Sequence, residues 1–472
     1  MSEIAGVSGS SGVARDERRR IIVASVIGTT IEFFDFYIYA TAAVSIFPLL
    51  FFPKGEGTAA LLASMATFGV AFVARPVGSI LFGHFGDRVG RKATLIGSLL
   101  LMGLATFAVG LLPPYHSIGL LAPVLLTILR FCQGLGLGGE WSGAALLAAE
   151  TAAPGKRAQA AMWPQLGAPF GFILANGFFL ALTAYFGFRS GAAQMTDDFL
   201  VWGWRIPFLM SIVMVLVGLY ARVKLQETPV FVRALERGEK LKSPLSEVVR
   251  NNSGELIRGT FMMVATYGLF YLMTTWILSY AIGKVELGLL GIDYRAFLHL
   301  QLISVVLFAA FIPVSGYLAD RFGRRRFLII VTCAIILFGL SFGWFLSPAT
   351  MGSGDSANFG LMLVFLSLGM SLMGLTFGPM SAILPELFPT NTRYTGSGIA
   401  YNAASILGAA LTPFVATWLA ASHGPGSVGL YLACLGGSTL AALILSKETR
   451  ATNLETMEQD AAAAAAVETT SP

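Results

Sequence analysis

Two carboxylates three residues apart, Glu32 and Asp35, stand in an apolar stretch that begins at Ile21. On a helix this spacing puts both on one face, ~16 to 21 Å along it at ~1.5 Å per residue and so near the middle of a bilayer. A charge exposed to lipid there costs at least about 2.5 kcal/mol, so such groups face a cavity or a partner. The chemistry open to Asp35 and Glu32 is proton coupling, and a structural ion pair between helices is the plainer alternative. Arg130 is predicted at the same depth, ~18 Å from the start of its own run at Ile118. Its planar donor fork suits a carboxylate, whether that of Asp35, of Glu32 or of a substrate. Gln133 follows one turn later and joins it as a substrate-binding candidate.

The second half of the chain has almost no charge inside its apolar runs, so its share of a site is expected to be polar and aromatic. The candidates are Tyr267, Tyr271, Trp276, Gln301 and Asn402, with Gln165 and Asn176 from the fifth run; packing explains each of them equally well. Gly134, Gly136, Gly138 and Gly139 lie inside a membrane run with no strand before them, so close helix packing explains them better than a nucleotide loop. The four histidines lie at helix ends or in loops. The three cysteines, Cys132, Cys333 and Cys434, form no CxxC or Cys/His group and are expected to be inert thiols in packed helices. No metal and no cofactor is expected. Without a nucleophilic triad, an HExxH or a Walker loop, a membrane enzyme is a poor second reading, and a channel a third.

These residues need helices that cross a membrane. Of 472 residues 55% are apolar and 12% charged, and the mean hydropathy is +0.73, more than a water-soluble core requires. The formal charge of +5 sits in short clusters between apolar runs, which argues against nucleic acid as a partner. Runs of about 20 apolar residues, enough to cross the hydrocarbon, begin near Ile21, Thr58, Ala93, Ile118, Ala158 and Gly203, then near Ile257, Phe297, Phe327, Asn358, Arg393 and Val428. The predicted organisation is a tail over 1–20, a six-helix bundle over 21–222, a linker with short helices over 223–256, a second bundle over 257–446 and a tail over 447–472. The first run lacks a cleavage pattern and is expected to stay in the mature protein. Lys and Arg crowd alternate loops, around Arg18 to Arg20, Arg88 to Lys92, Lys156 and Arg157, Arg321 to Arg326 and Lys447 to Arg450. By the positive-inside rule both termini are expected to be cytoplasmic.

A repeat relates the halves. Gly83, Asp87, Arg88, Gly90, Arg91 and Lys92 recur as Gly316, Asp320, Arg321, Gly323, Arg324 and Arg325, each after the second run of its half, and Glu150 with Arg157 recurs as Glu386 with Arg393. Duplication accounts for two such echoes. The GxxxDRxGRK loop and its copy resemble the signature of the major facilitator superfamily. Glu32-Phe-Phe-Asp35, Ala74-Arg75-Pro76-Val-Gly78 and Arg130 with Gln133, Gly134, Glu140 and Trp141 resemble its metabolite:proton symporter branch, whose members carry organic acids or zwitterionic osmolytes. The resemblance implies an all-α fold of twelve transmembrane helices in two pseudo-symmetric bundles, and alternating access coupled to protons. It also implies a gate in which Asp87 meets the eleventh helix near Arg393 and Asp320 meets the fifth near Arg157, with a helix N-terminus favouring the anion. Arg88, Arg91, Arg321, Arg324, Glu150 and Glu386 belong to the same gate, and Glu140 is expected to join it with Arg75. The partners expected are a small-molecule substrate, protons and the lipid bilayer, with the chain working as a monomer in the inner membrane. Some osmolyte-carrying relatives have a long coiled-coil tail; the short Ala-rich end here shifts the expectation toward an organic acid.

Overall fold

Each apolar run becomes a helix, because in lipid a backbone N–H or C=O finds no partner outside its own segment. The computed structural model describes residues 8–53, 57–89, 91–138, 155–186, 188–189, 194–223, 245–389 and 393–450. The first half consists of α1 (Ser8–Ser45), α2 (Gly57–Val89), α3 (Arg91–Leu111), α4 (Leu121–Leu137), α5 (Arg157–Phe186) and α6 (Phe199–Tyr220). The second consists of α7 (Ser253–Ile282), α8 (Tyr294–Phe322), α9 (Arg324–Phe345), α10 (Phe359–Glu386), α11 (Thr395–His423) and α12 (Pro425–Ile444). Among the described residues nine of these are long and apolar enough to cross a membrane; the shorter α3 and α4, with α1, complete twelve.

Two boundaries differ from the sequence reading. The first helix starts at Ser8, ahead of the apolar run at Ile21, and the seventh at Ser253 rather than Ile257, since polar residues extend a helix beyond the part that lipid requires. A short helix, Leu245–Asn251, precedes α7, and residues 224–244 of the linker lie outside the described part. A two-residue antiparallel ladder pairs Phe188 with Met195 and Arg189 with Gln194 between α5 and α6. Local signals set several ends. The Asp293 side chain caps α8 by accepting from Ala296 N at 3.0 Å, and Asn358 caps α10 from Leu361 N at 3.0 Å. Gly424, at φ 78°, ends α11, and Pro425 opens α12.

The packing repeats with the sequence. In the first half α1 packs on α5, α2 on α4 and α3 on α6; in the second α7 packs on α11, α8 on α10 and α9 on α12. Between the halves α2 meets α11, and α8 meets α5, its counterpart under the same exchange. Backbones come close where glycine permits. A Cβ added at Gly134 would stand 2.2 Å from the Ala71 carbonyl oxygen, and one at Gly138 would stand 2.1 Å from that of Arg75. The glycines of α4 therefore bring α2 against it, as small residues do between membrane helices. Cys333 and Cys434 are exposed on the outside of the bundles rather than packed.

Candidate functional site

Asp35, only 3% exposed, turns toward α3. Its Oδ2 accepts from Thr106 Oγ1 at 3.2 Å, and its Oδ1 has no hydrogen-bond partner. The Thr106 hydroxyl accepts from Gln133 Nε2 at 2.7 Å, and Gln133 Oε1 accepts from Arg130 Nη1 at 3.0 Å. A chain of neutral groups thus joins the carboxylate to the guanidinium, replacing the direct contact that matching depths suggest. Aromatic rings provide the reason: Arg130, 1% exposed, lies 4.0 Å from the Tyr39 ring centroid, 4.4 Å from Phe36 and 4.9 Å from Phe68. Cation–π contacts of this kind fill the faces of the guanidinium, and Nη2 has no hydrogen-bond partner. Thr106 is the member of this chain that sequence reasoning missed.

Glu32 is half-buried and looks elsewhere, within electrostatic reach of Arg75, Tyr271 and Tyr401. Three residues along a helix leave an offset of about 60°, enough to send two carboxylates of one face to different neighbours. Arg75, whose expected gate partner Glu140 lies outside the described residues, stands at the centre. Together with Tyr267, Tyr271 and Tyr401 it lines a cavity of about 10 Å³ between the halves, closed elsewhere by the rings of Phe33, Phe270 and Phe377. That is the space of a single water, so the two halves pack closely here. Arg130 does not line this cavity.

Among the other polar candidates the amides are committed elsewhere. Gln165 Nε2 donates to the Phe377 carbonyl at 3.0 Å, from α5 to α10 across the halves. Gln301 Nε2 donates to the carbonyls of Met273 at 3.0 Å and Thr274 at 3.3 Å, bracing a π-helical turn of α7 over Leu272–Trp276. Asn402 Nδ2 donates to Ser79 Oγ at 2.9 Å, joining α11 to α2, and Ser79 in turn donates to the Gly138 carbonyl. Asn176 accepts from Thr41 Oγ1 at 2.8 Å, and Trp276 stacks on Tyr280 and Phe342. Buried amides are hydrogen-bonded: Gln165, Gln301 and Asn402 fasten helices, while Tyr267 and Tyr271 line the cavity.

At the end that carries the basic loops, Asp320 accepts from the backbone N–H of Ala158 at 3.3 Å and of Gln159 at 3.0 Å, at the start of α5. Arg324 is fully buried between Asp320 Oδ1 at 3.3 Å and Glu386 Oε2 at 2.8 Å. Glu386 also faces Arg157 at 3.7 Å and accepts from Thr449 Oγ1 at 2.7 Å. Glu448 caps α9 by accepting from Arg324 N at 2.9 Å and Arg325 N at 3.1 Å. Arg321 is exposed, beside the Phe322 ring, and takes no part in this ion network. Arg393 is buried, and its Nε donates to the Phe388 carbonyl at 3.3 Å. The side chains of Asp87, Arg88 and Arg91, and residues Glu140 and Glu150, lie outside the described residues. Among the described residues no group of three or more His, Cys, Asp or Glu could hold a metal.

The profile of the Major Facilitator Superfamily matches residues 25–406 and 289–468. The inner membrane metabolite transport protein YhjE of Escherichia coli (strain K12) is 53% identical over 436 residues, 92% of this chain and 95% of that protein. The shikimate transporter of the same organism is 33% identical, covering 92% and 95%, and the proline/betaine transporter of Salmonella typhimurium 33%, covering 86% and 78%. The structure of the proton:xylose symporter XylE bound to 6-bromo-6-deoxy-D-glucose superposes with a TM-score of 0.69 over 94% of this chain and 98% of that one, at 18% identity. The chain belongs to the Major Facilitator Superfamily, as a secondary transporter and not an enzyme.

Proposed function

We propose that this protein carries a small carboxylate metabolite together with protons across the inner membrane by alternating access, as a monomer with both termini in the cytoplasm. The observation that carries the reading is Asp35: a buried carboxylate with one oxygen unpartnered, linked through Thr106 and Gln133 to the Arg130 guanidinium. Desolvation favours the neutral acid and a nearby cation the carboxylate, so a group so placed can bind a proton in one conformation and release it in another. Proton and substrate binding then influence each other reciprocally. The names of the relatives support a carboxylate cargo, since shikimate, proline and betaine each carry one.

In this reading Asp320 on the α5 N-terminus, with Arg324, Glu386 and Arg157, closes the cytoplasmic side, and Asp87 does the same at α11 through the repeat. The contacts break when the halves rock apart, as two related bundles around a central site allow. The aromatic lining of the cavity favours one second reading, a zwitterionic osmolyte whose quaternary ammonium rests on ring faces.

The test is uptake into proteoliposomes with an imposed pH gradient, across a radiolabelled panel of shikimate, 2-oxoglutarate, citrate, proline and glycine betaine. Accumulation of one acid that a protonophore abolishes is expected; accumulation indifferent to the protonophore contradicts proton coupling, and preference for betaine selects the second reading. Reporter fusions at Asn251 and at the C-terminus are expected to report cytoplasm and one at Gly354 the outside. An external result at Asn251 contradicts the orientation.

A further inference from the structure

Arg75 is 6% exposed, its Nε has no hydrogen-bond partner, and among the described residues it makes no ion pair. Its guanidinium rests over two rings, 4.9 Å from the centroid of Phe72 and 5.2 Å from that of Phe36. Ring faces compensate a cation less fully than an anion does. At Gly78, where a Cβ would stand 2.1 Å from the Leu135 carbonyl oxygen, and at Gly138, where one would meet the Arg75 carbonyl, α2 and α4 pack backbone to backbone. A buried cation that makes no ion pair among the described residues, at the edge of a central cavity, is suited to an anion that comes and goes. The phenols of Tyr267, Tyr271 and Tyr401 line the same cavity, and a hydroxyl there can donate to a carboxylate or hydroxyl oxygen without adding charge.

We propose that Arg75, rather than Arg130, receives the carboxylate of the transported metabolite, and that the cavity selects monocarboxylates over di- and tricarboxylates. The selectivity follows from the described lining, in which Arg75 is the single charged group: a second carboxylate would lie among the rings of Phe33, Phe270 and Phe377 with no further cation of that lining to meet it. Half-buried Glu32, within electrostatic reach of Arg75, is the internal anion that the substrate displaces. Arg130, behind its three rings, is a positioning residue that holds Gln133 and Thr106. The inference rests on the carboxylate-transport reading above.

The experiment uses the full chain, purified and reconstituted, with shikimate, proline, glycine betaine, 2-oxoglutarate and citrate as probes, read by uptake and by ligand-induced thermal stabilisation. One of the three monocarboxylates is expected to be accumulated and to stabilise the protein, its methyl ester to do neither, and the di- and tricarboxylate not to compete. Arg75→Gln is expected to weaken the stabilisation on the order of a hundredfold in ligand concentration, and Arg75→Lys on the order of tenfold. Tyr401→Phe, which keeps the ring, should weaken it several-fold and guards against a folding defect at Arg75. Wild-type affinity in Arg75→Gln, or competition by 2-oxoglutarate or citrate as strong as by the monocarboxylate, overturns the inference while leaving the transport reading intact. A wild-type protein that accumulates none of the five contradicts the transport reading, and this inference with it.

Discussion

Arg324 and Arg75 are both buried in membrane-spanning helices, with opposite surroundings. Arg324, at the end with the basic loops, has Asp320 and Glu386 within ion-pair distance, and those carboxylates are themselves held by the α5 backbone and by Thr449. Arg75, at the cavity, has ring faces and, among the described residues, no ion pair, with Glu32 within electrostatic reach. On the proposed mechanism, a cation with internal partners serves closure, and one without an ion pair keeps its interaction for something that arrives. The contrast then distinguishes the proposed gate from the proposed binding site more sharply than depth in the membrane does, because both arginines are buried.

The contrast breaks most visibly at the gate. Arg324→Gln leaves Asp320 and Glu386 buried without the cation between them, a loss of about 3 to 5 kcal/mol; Arg75→Gln removes a charge that has no ion pair among the described residues. Thermal melts of the two purified variants without ligand should therefore diverge, with Arg324→Gln strongly lowered and Arg75→Gln at or above wild type. Equal losses would mean that Arg75 has a structural counter-charge.

A smaller effect concerns the backbone packing beside Arg75. Gly134→Ala places a methyl group 2.2 Å from the Ala71 carbonyl oxygen, and parting α2 from α4 to make room costs about 1 to 3 kcal/mol. Gly177→Ala on α5, where a Cβ meets nothing within 4 Å, should leave the melt unchanged or raise it, as alanine is the better helix former. Similar melts for the two would contradict the close approach. The smallest change in stability is expected for Thr106→Val, about 1 kcal/mol for the lost hydroxyl, yet it cuts the link between Asp35 and Gln133. Coupling should suffer more than stability, seen as a lower steady-state accumulation ratio at an unchanged rate of exchange between equal pools. An unchanged ratio would show that the link is dispensable.

The fold was legible because lipid demands long apolar helices, and the duplicated loop tied Asp320 to its counterpart Asp87. The rotation of each helix about its axis was not legible. In a membrane the lipid-facing and core-facing sides are equally apolar, so no hydrophobic stripe tells which way Arg75 or Gln301 points. Depth alone paired Arg130 with Asp35; three rings on its faces and the intervening Thr106 are side-chain packing, which one sequence does not reveal. Thr106 sits in an apolar run where a threonine draws no notice, and nothing in the sequence singles out Tyr401. Gln165, Gln301 and Asn402 are expected as ligands because a buried amide signals a partner; in this conformation each donates to a backbone carbonyl or a hydroxyl of the fold.

The central claim is that a buried helix carboxylate carries the coupling proton, and a comparison of accumulation with exchange in Asp35→Asn tests it most directly. In proteoliposomes the variant should lose accumulation driven by a pH gradient while still exchanging labelled substrate between equal pools, and Glu32→Gln should do so less completely. Gradient-driven accumulation at the wild-type level in the Asp35→Asn, Glu32→Gln double variant would contradict the account.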